Sequence, residues 1–136
     1  MSDATITKPL AWTEDKALRF LAAAFLYATA GIHLPIIRQH LHEAPYIGWL
    51  FIALSITAAA LGVALLLRDS ILVWLLTAAT SASAIGAYLL SRSVGLPQIH
   101  DDIGNWGDPR GVAALVVESA ALLLAVWALS TLRPER

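Results

Sequence analysis

The chain contains no cysteine. That excludes disulfide scaffolds, thiolate metal sites and iron–sulfur clusters. It also excludes the four-helix quinone-linked thiol oxidoreductases, whose chemistry runs through paired cysteines. Charge is almost as scarce: 14% of the 136 residues are charged, where a soluble domain carries roughly a quarter. The charges nearly cancel at a net −1, so no basic stripe is offered to a nucleic acid and no such partner is expected. The polar–apolar alternation of a membrane β-strand is missing too. Internal repeats and low-complexity tracts are lacking, and the connections are too short to hold a second domain.

What the chain has in plenty is apolar length. Hydrophobic residues make up 58% of it, and the mean hydropathy is +0.69. The few charges are pushed to the ends of long runs: 18 uncharged residues separate Arg19 from Arg38, 24 separate Glu43 from Arg68, and 22 separate Asp69 from Arg92. A last span of 22 residues, Gly111–Leu132, carries one charge in its interior, Glu118. A hydrocarbon core of about 30 Å needs about 20 helical residues at 1.5 Å rise. The pattern predicts an all-α protein of four transmembrane helices, Leu18–Ile37, Ile47–Leu67, Ile71–Leu90 and Gly111–Leu132. They form a single bundle over residues 17–132, with a longer outer loop between the third and fourth helices. Residues 1–16 and 133–136 are expected as short cytoplasmic tails, with Thr13 as an N-cap before the first helix.

Orientation follows from the basic residues. One side of such a bundle holds Lys8, Lys16, Arg19, Arg68, Arg133 and Arg136; the other holds Arg38, Arg92 and Arg110. Positive charge is retained in the cytoplasm, which puts both termini there. Aromatics mark both interfaces, with Trp74 and Trp127 near the inner ends and Tyr46, Trp49, Tyr88 and Trp106 near the outer ones. Ala28-Thr29-Ala30 has the small-x-small form of a signal cleavage site. The segment before it mixes Glu14 and Asp15 with Lys16 and Arg19, whereas a signal's leading region is plainly positive, so the first span reads as uncleaved.

Glu118 is the residue with the most to explain. A carboxylate at membrane depth costs several kcal/mol unless it is paired, protonated or wetted, and such residues mark functional sites by default. His33 lies about 7 Å below Arg38, and Glu118 about 10 Å below Gly111, so adjacent helices would place the two in one layer. If the first helix continues a turn past Pro35, His40 shares a face with His33, Glu43 follows three residues on, and His42 points away. His33, His40, Glu43 and Glu118 are thus the candidate ligands of a metal site, with His100 a weaker one. A sulfur-free imidazole–carboxylate set suits Zn²⁺ or Cu²⁺. The competing reading is a structural polar pair, Arg92 with Glu118, because a guanidinium can hold a carboxylate with two hydrogen bonds.

Small residues four apart supply packing seams: Ala79, Ser83 and Ala87, with Ala82 and Gly86, in the third helix, and Ser55 with Ala59, and Ala58 with Gly62, in the second. They serve intrachain contacts or a homo-oligomer equally. In the segment LSRSVGLPQIHDDIGNWGDPRG, Gly95, Pro97, Gly104, Gly107 and Pro109 favour turns. Its apolar residues Val94, Leu96, Ile99, Ile103 and Trp106 predict that this loop folds back over the mouth of the bundle.

Four pieces of the chain occur in order: Gly31-Ile32-His33-Leu34, then His40-Leu41-His42-Glu43-Ala44-Pro45-Tyr46-Ile47-Gly48, then Ser91-Arg92-Ser93-Val94-Gly95-Leu96-Pro97, and last Gly111-Val112 followed by Glu118. Over Gly31–Trp127 they resemble a family of small bacterial four-helix membrane proteins with the pattern G-x-x-H-L, E-H-x-x-E-A-P-Y-x-G, S-R-x-V-G-L-P and a late Glu. The chain departs from that pattern at Gln39, where the family often has an acid. The resemblance implies a bacterial inner-membrane location and makes His33, His40, Glu43, Arg92 and Glu118 a polar signature. It attaches no activity. Beside the bilayer itself as surroundings, three roles are open: a metal-binding or redox-accessory protein facing outward, a non-catalytic subunit of a membrane complex, and a small proton-coupled transporter.

Overall fold

The computed structural model describes residues 8–131, with side chains from residue 16 onward. Helix α1 runs Lys8–His33, a 3-10 turn covers Leu34–Ile36, and α2 covers Ile37–Glu43. Helices α3 (Pro45–Leu67), α4 (Ile71–Ser93) and α5 (Pro109–Thr131) follow. Four stretches are long and apolar enough to cross a membrane: Lys16–Glu43, Pro45–Leu67, Ile71–Ser93 and Pro109–Thr131. The protein is an all-α four-helix bundle, as the charge spacing predicts.

The ends of the helices have local causes. Pro35 carries no N–H to continue the α-helical ladder, and the chain tightens into the 3-10 turn around it before α2 resumes. Ala44 is extended (φ −148°, ψ 91°) because Pro45 crowds the helical region for the residue before it. Pro45 then opens α3, where a missing N–H costs nothing. At α5, Asp108 Oδ2 accepts the Gly111 N–H at 2.8 Å, a side-chain cap one residue ahead of Pro109. One expectation needs correcting: residues 8–16 are helical, so Thr13 lies inside α1 and does not cap it. Pro9 sits in the first turn, where it is tolerated, and no other proline follows before Pro35. Residues 1–7 and the expected tail 133–136 lie outside the described residues.

The helices pack in a ring in the order α1, α3, α4, α5, with α5 closing back on α1 and α2 lying against α3. Hydrophobic driving force is weak between helices in lipid, so close approach through small residues decides the packing. On α5 the buried positions are Ala114, Glu118, Ala121, Ala125 and Ala128, alternating four and three apart. Elsewhere α3 brings its Gly48 against Leu41 of α2 and its Gly62 against the Tyr27 ring of α1; a Cβ on either glycine would fall within 3 Å of those side chains. Large apolar side chains such as Leu72, Val116, Leu123 and Trp127 point outward, where lipid would meet them.

The interior is zoned. Around Trp74, Leu26, Leu65, Ala22, Ala125 and Ala128 the core is apolar. Toward the other end, where the 34–46 and 94–108 connections lie, the buried set turns polar: Thr29, His33, Ser55, Ser91, Arg92 and Glu118. On the apolar side Arg19 reaches from α1 to α3, its Nε donating to the Leu65 carbonyl at 2.6 Å and its Nη2 to that of Leu66 at 2.9 Å. These are among the last carbonyls of α3, which no residue of that helix can satisfy.

Candidate functional site: a buried imidazole facing a carboxylate

His33 is the last residue of α1 and Glu118 sits a little over two turns into α5. His33 Nε2 lies 3.8 Å from Glu118 Oε1, with both side chains buried. The depth estimate made from helical rise therefore holds, and the two groups occupy one layer. His33 Nδ1 lies 2.8 Å from the Thr29 carbonyl oxygen. A carbonyl can only accept, so Nδ1 carries the proton and Nε2 is the atom turned toward the acid.

Glu118 Oε1 is buried and has no hydrogen-bond partner. A separation of 3.8 Å is too long for a hydrogen bond. Two groups that each present an acceptor face one another across a gap that one proton, or one cation, would bridge. An unpaired ionised carboxylate would cost several kcal/mol at this depth, so the acid is stable here only with its charge compensated.

His40 repeats the local geometry of His33. Its Nδ1 donates to the Ile36 carbonyl at 2.9 Å, one turn back. Both imidazoles rest on Phe51 of α3, with ring-centroid distances of 4.8 Å for His33 and 4.9 Å for His40. The expected shared face of the two histidines is thus present, and the Phe51 ring contacts both of them on it. Phe51 escapes sequence reasoning because an apolar residue in an apolar span carries no signal. Its place four residues before the buried Ser55 is the one hint that it turns inward.

The other candidate ligands are elsewhere. Glu43 is exposed and accepts a hydrogen bond from Gln39 Nε2 at 2.8 Å, which engages this acid on the surface. His100 is exposed in the loop, and its carbonyl accepts the Ile103 N–H. Among the described residues, no group of three or more His, Asp or Glu side chains is arranged to hold a metal.

Arg92 does not pair with Glu118, contrary to the structural alternative. It ends α4 buried, with Nη1 2.7 Å from Asp102 Oδ2 and Nη2 3.8 Å from Asp108 Oδ2. Its guanidinium lies 5.0 Å from the centre of the Tyr88 ring, and its carbonyl accepts the Gly104 N–H at 2.8 Å. Proximity in the chain explains the outcome: the long loop returns two acids to the end of α4, whereas Glu118 lies deeper. Tyr46 donates to the Pro97 carbonyl at 2.6 Å and Tyr88 to that of Trp106 at 3.3 Å. The loop is therefore fastened at several points; of its apolar residues, Leu96 and Ile99 are half-buried while Val94, Ile103 and Trp106 are exposed.

These features define a small multi-pass membrane protein with one buried imidazole–carboxylate pair in the polar half of its bundle. No protein-family model, curated protein or solved structure matches the chain.

Proposed function

We propose that this is a proton-handling membrane protein in which His33 and Glu118 together take up and give back one proton. The observation that supports the reading is the approach of His33 Nε2 to a buried carboxylate oxygen that has no other partner. With Nδ1 committed to Thr29, Nε2 is the one imidazole atom that can share a proton with the acid, and Oε1 is the carboxylate oxygen that faces it. Occupied, with the proton on the carboxyl, the space between them joins the two groups through an O–H···N hydrogen bond once the 3.8 Å gap closes and leaves the site neutral; empty, it leaves one negative charge inside the bundle. Two donors fall short of the three or four protein ligands of a zinc site, which favours a proton over Zn²⁺ or Cu²⁺. The basic-residue asymmetry supports an extracytoplasmic position for this layer, and the resemblance to small bacterial four-helix proteins supports a bacterial inner membrane.

Infrared difference spectra of the protein in liposomes, recorded across a pH titration, test the reading. A protonated-carboxyl band should grow on acidification, shift in D₂O and be missing in Glu118→Gln. Absence of any such band would refute the proton reading. Stoichiometric Zn²⁺ or Cu²⁺ that is retained by the purified protein and lost in both His33→Ala and His40→Ala would replace it with the metal one.

A further inference from the structure

Resting on the proton reading, we infer that His40 is the outer proton acceptor of the site and that Phe51 is the barrier between it and the buried pair. Three observations meet here. First, His40 is partly exposed where His33 is buried, so the two imidazoles form a step from the surface inward. Second, both have Nδ1 bound to a backbone carbonyl four residues earlier, and each keeps Nε2 as its only proton-accepting atom. Third, both rings contact the same face-forming residue, Phe51, at nearly equal distances. A phenyl ring neither accepts nor donates a proton, so no hydrogen-bonded chain crosses it.

The transfer then balances as follows. A proton from bulk water binds His40 Nε2 and makes an imidazolium whose Nδ1–H stays on the Ile36 carbonyl. When Phe51 swings aside, the same proton leaves Nε2, directly or through a water, for the space between His33 Nε2 and Glu118 Oε1, and His40 returns to neutral. Release reverses the order. The surroundings permit such motion at this end: the 3-10 turn at Leu34–Ile36 and the extended Ala44 break the helical ladder on both sides of α2, and Phe51 is itself only partly buried. His42 is exposed, and Glu43 is engaged with Gln39, which leaves His40 as the titratable side chain of α2 that touches the barrier.

Rapid transfer of liposome-reconstituted protein into D₂O, followed by time-resolved infrared detection of the Glu118 carboxyl, measures access to the pair. Phe51→Ala should speed exchange about tenfold or more, corresponding to a barrier lower by roughly 1.4 kcal/mol. Phe51→Leu, which nearly fills the space, should behave as the unaltered protein. His40→Gln should slow exchange in the unaltered protein and have no effect in the Phe51→Ala background, where the route no longer needs it. Equal exchange rates in the unaltered protein, Phe51→Ala and His40→Gln would overturn the inference while leaving the pair itself intact. Should Phe51→Ala fail to fold, His40→Gln alone decides, a slowed rate supporting the relay and an unchanged one refuting it. A missing Glu118 band in the unaltered protein is the separate failure of the proton reading.

Discussion

Arg92 Nη1 lies 2.7 Å from Asp102 Oδ2, and this contact takes away the cation that could otherwise have neutralised Glu118. One arginine cannot both hold the loop and reach two turns into the bundle. Glu118 is left with His33 as its facing group. The division separates a polar cluster at the end of α4 from the His33–Glu118 pair inside.

The first prediction concerns that division. Arg92→Ala should destabilise the protein by about 2–3 kcal/mol, less than the full cost of breaking a buried pair because Asp102 and Asp108 are one-third exposed. A double-mutant cycle on thermal unfolding in detergent should give a coupling of about 1 kcal/mol or more between Arg92 and Asp102, and below about 0.5 kcal/mol between Arg92 and Glu118. Coupling of the opposite order would restore the Arg92–Glu118 pair.

Glu118→Gln should fold normally and be at least as stable as the parent, by up to about 1 kcal/mol. It removes an ionisable oxygen that lacks a partner and keeps the shape. Thermal melts at several pH values check it; a loss of more than about 2 kcal/mol would mean the carboxylate makes a strong stabilising contact.

Gly48→Ala should loosen the seat of α2. The added Cβ would lie 2.5 Å from Leu41 Cγ and 2.8 Å from the Leu41 backbone nitrogen, and the backbone clash cannot be relieved by a rotamer change. Overpacking of this kind costs about 1–3 kcal/mol. Hydrogen exchange of the residues 37–43 should accelerate before that of α4 or α5 does; uniform acceleration would contradict a local seat.

Topology is testable because the chain has no cysteine of its own. A single cysteine at Ser93 should react with a membrane-impermeant reagent added outside cells, and one at Ser70 should not. The reverse pattern would put the termini, and the face opposite the His33–Glu118 layer, outside.

The chain gives up much of this fold to simple reading, for a physical reason. Apolar runs bounded by charges fix the four spans, and rise per residue fixes relative depth along neighbouring helices, which is why His33 and Glu118 could be placed in one layer. The azimuth of each side chain around its helix is harder to read in a span that is apolar on all sides. The four-and-three spacing of Ala114, Glu118, Ala121, Ala125 and Ala128 stands out as the inward face only in the packed helix, because Ala113 and Ala120 compete with it in the sequence. Nothing comparable marks Phe51, whose role comes from two contacts made across helices. The partners of Arg92 were hidden for a different reason: they depend on how a glycine-rich loop returns, through left-handed turns at Gly95 and Gly104, and no periodicity governs that path.

The bonds from Arg19 to the Leu65 and Leu66 carbonyls have a mechanical consequence. They clamp α1 to the tail of α3 at the end where the core is apolar, so those two rods share a fixed pivot and cannot slide past one another. Compliance is then concentrated at the opposite end, near Pro35 and Ala44. Any splaying of α1 from α3 would work as a lever about Arg19, small at Leu26 and greatest at His33, with Phe51 lying on the opening jaw.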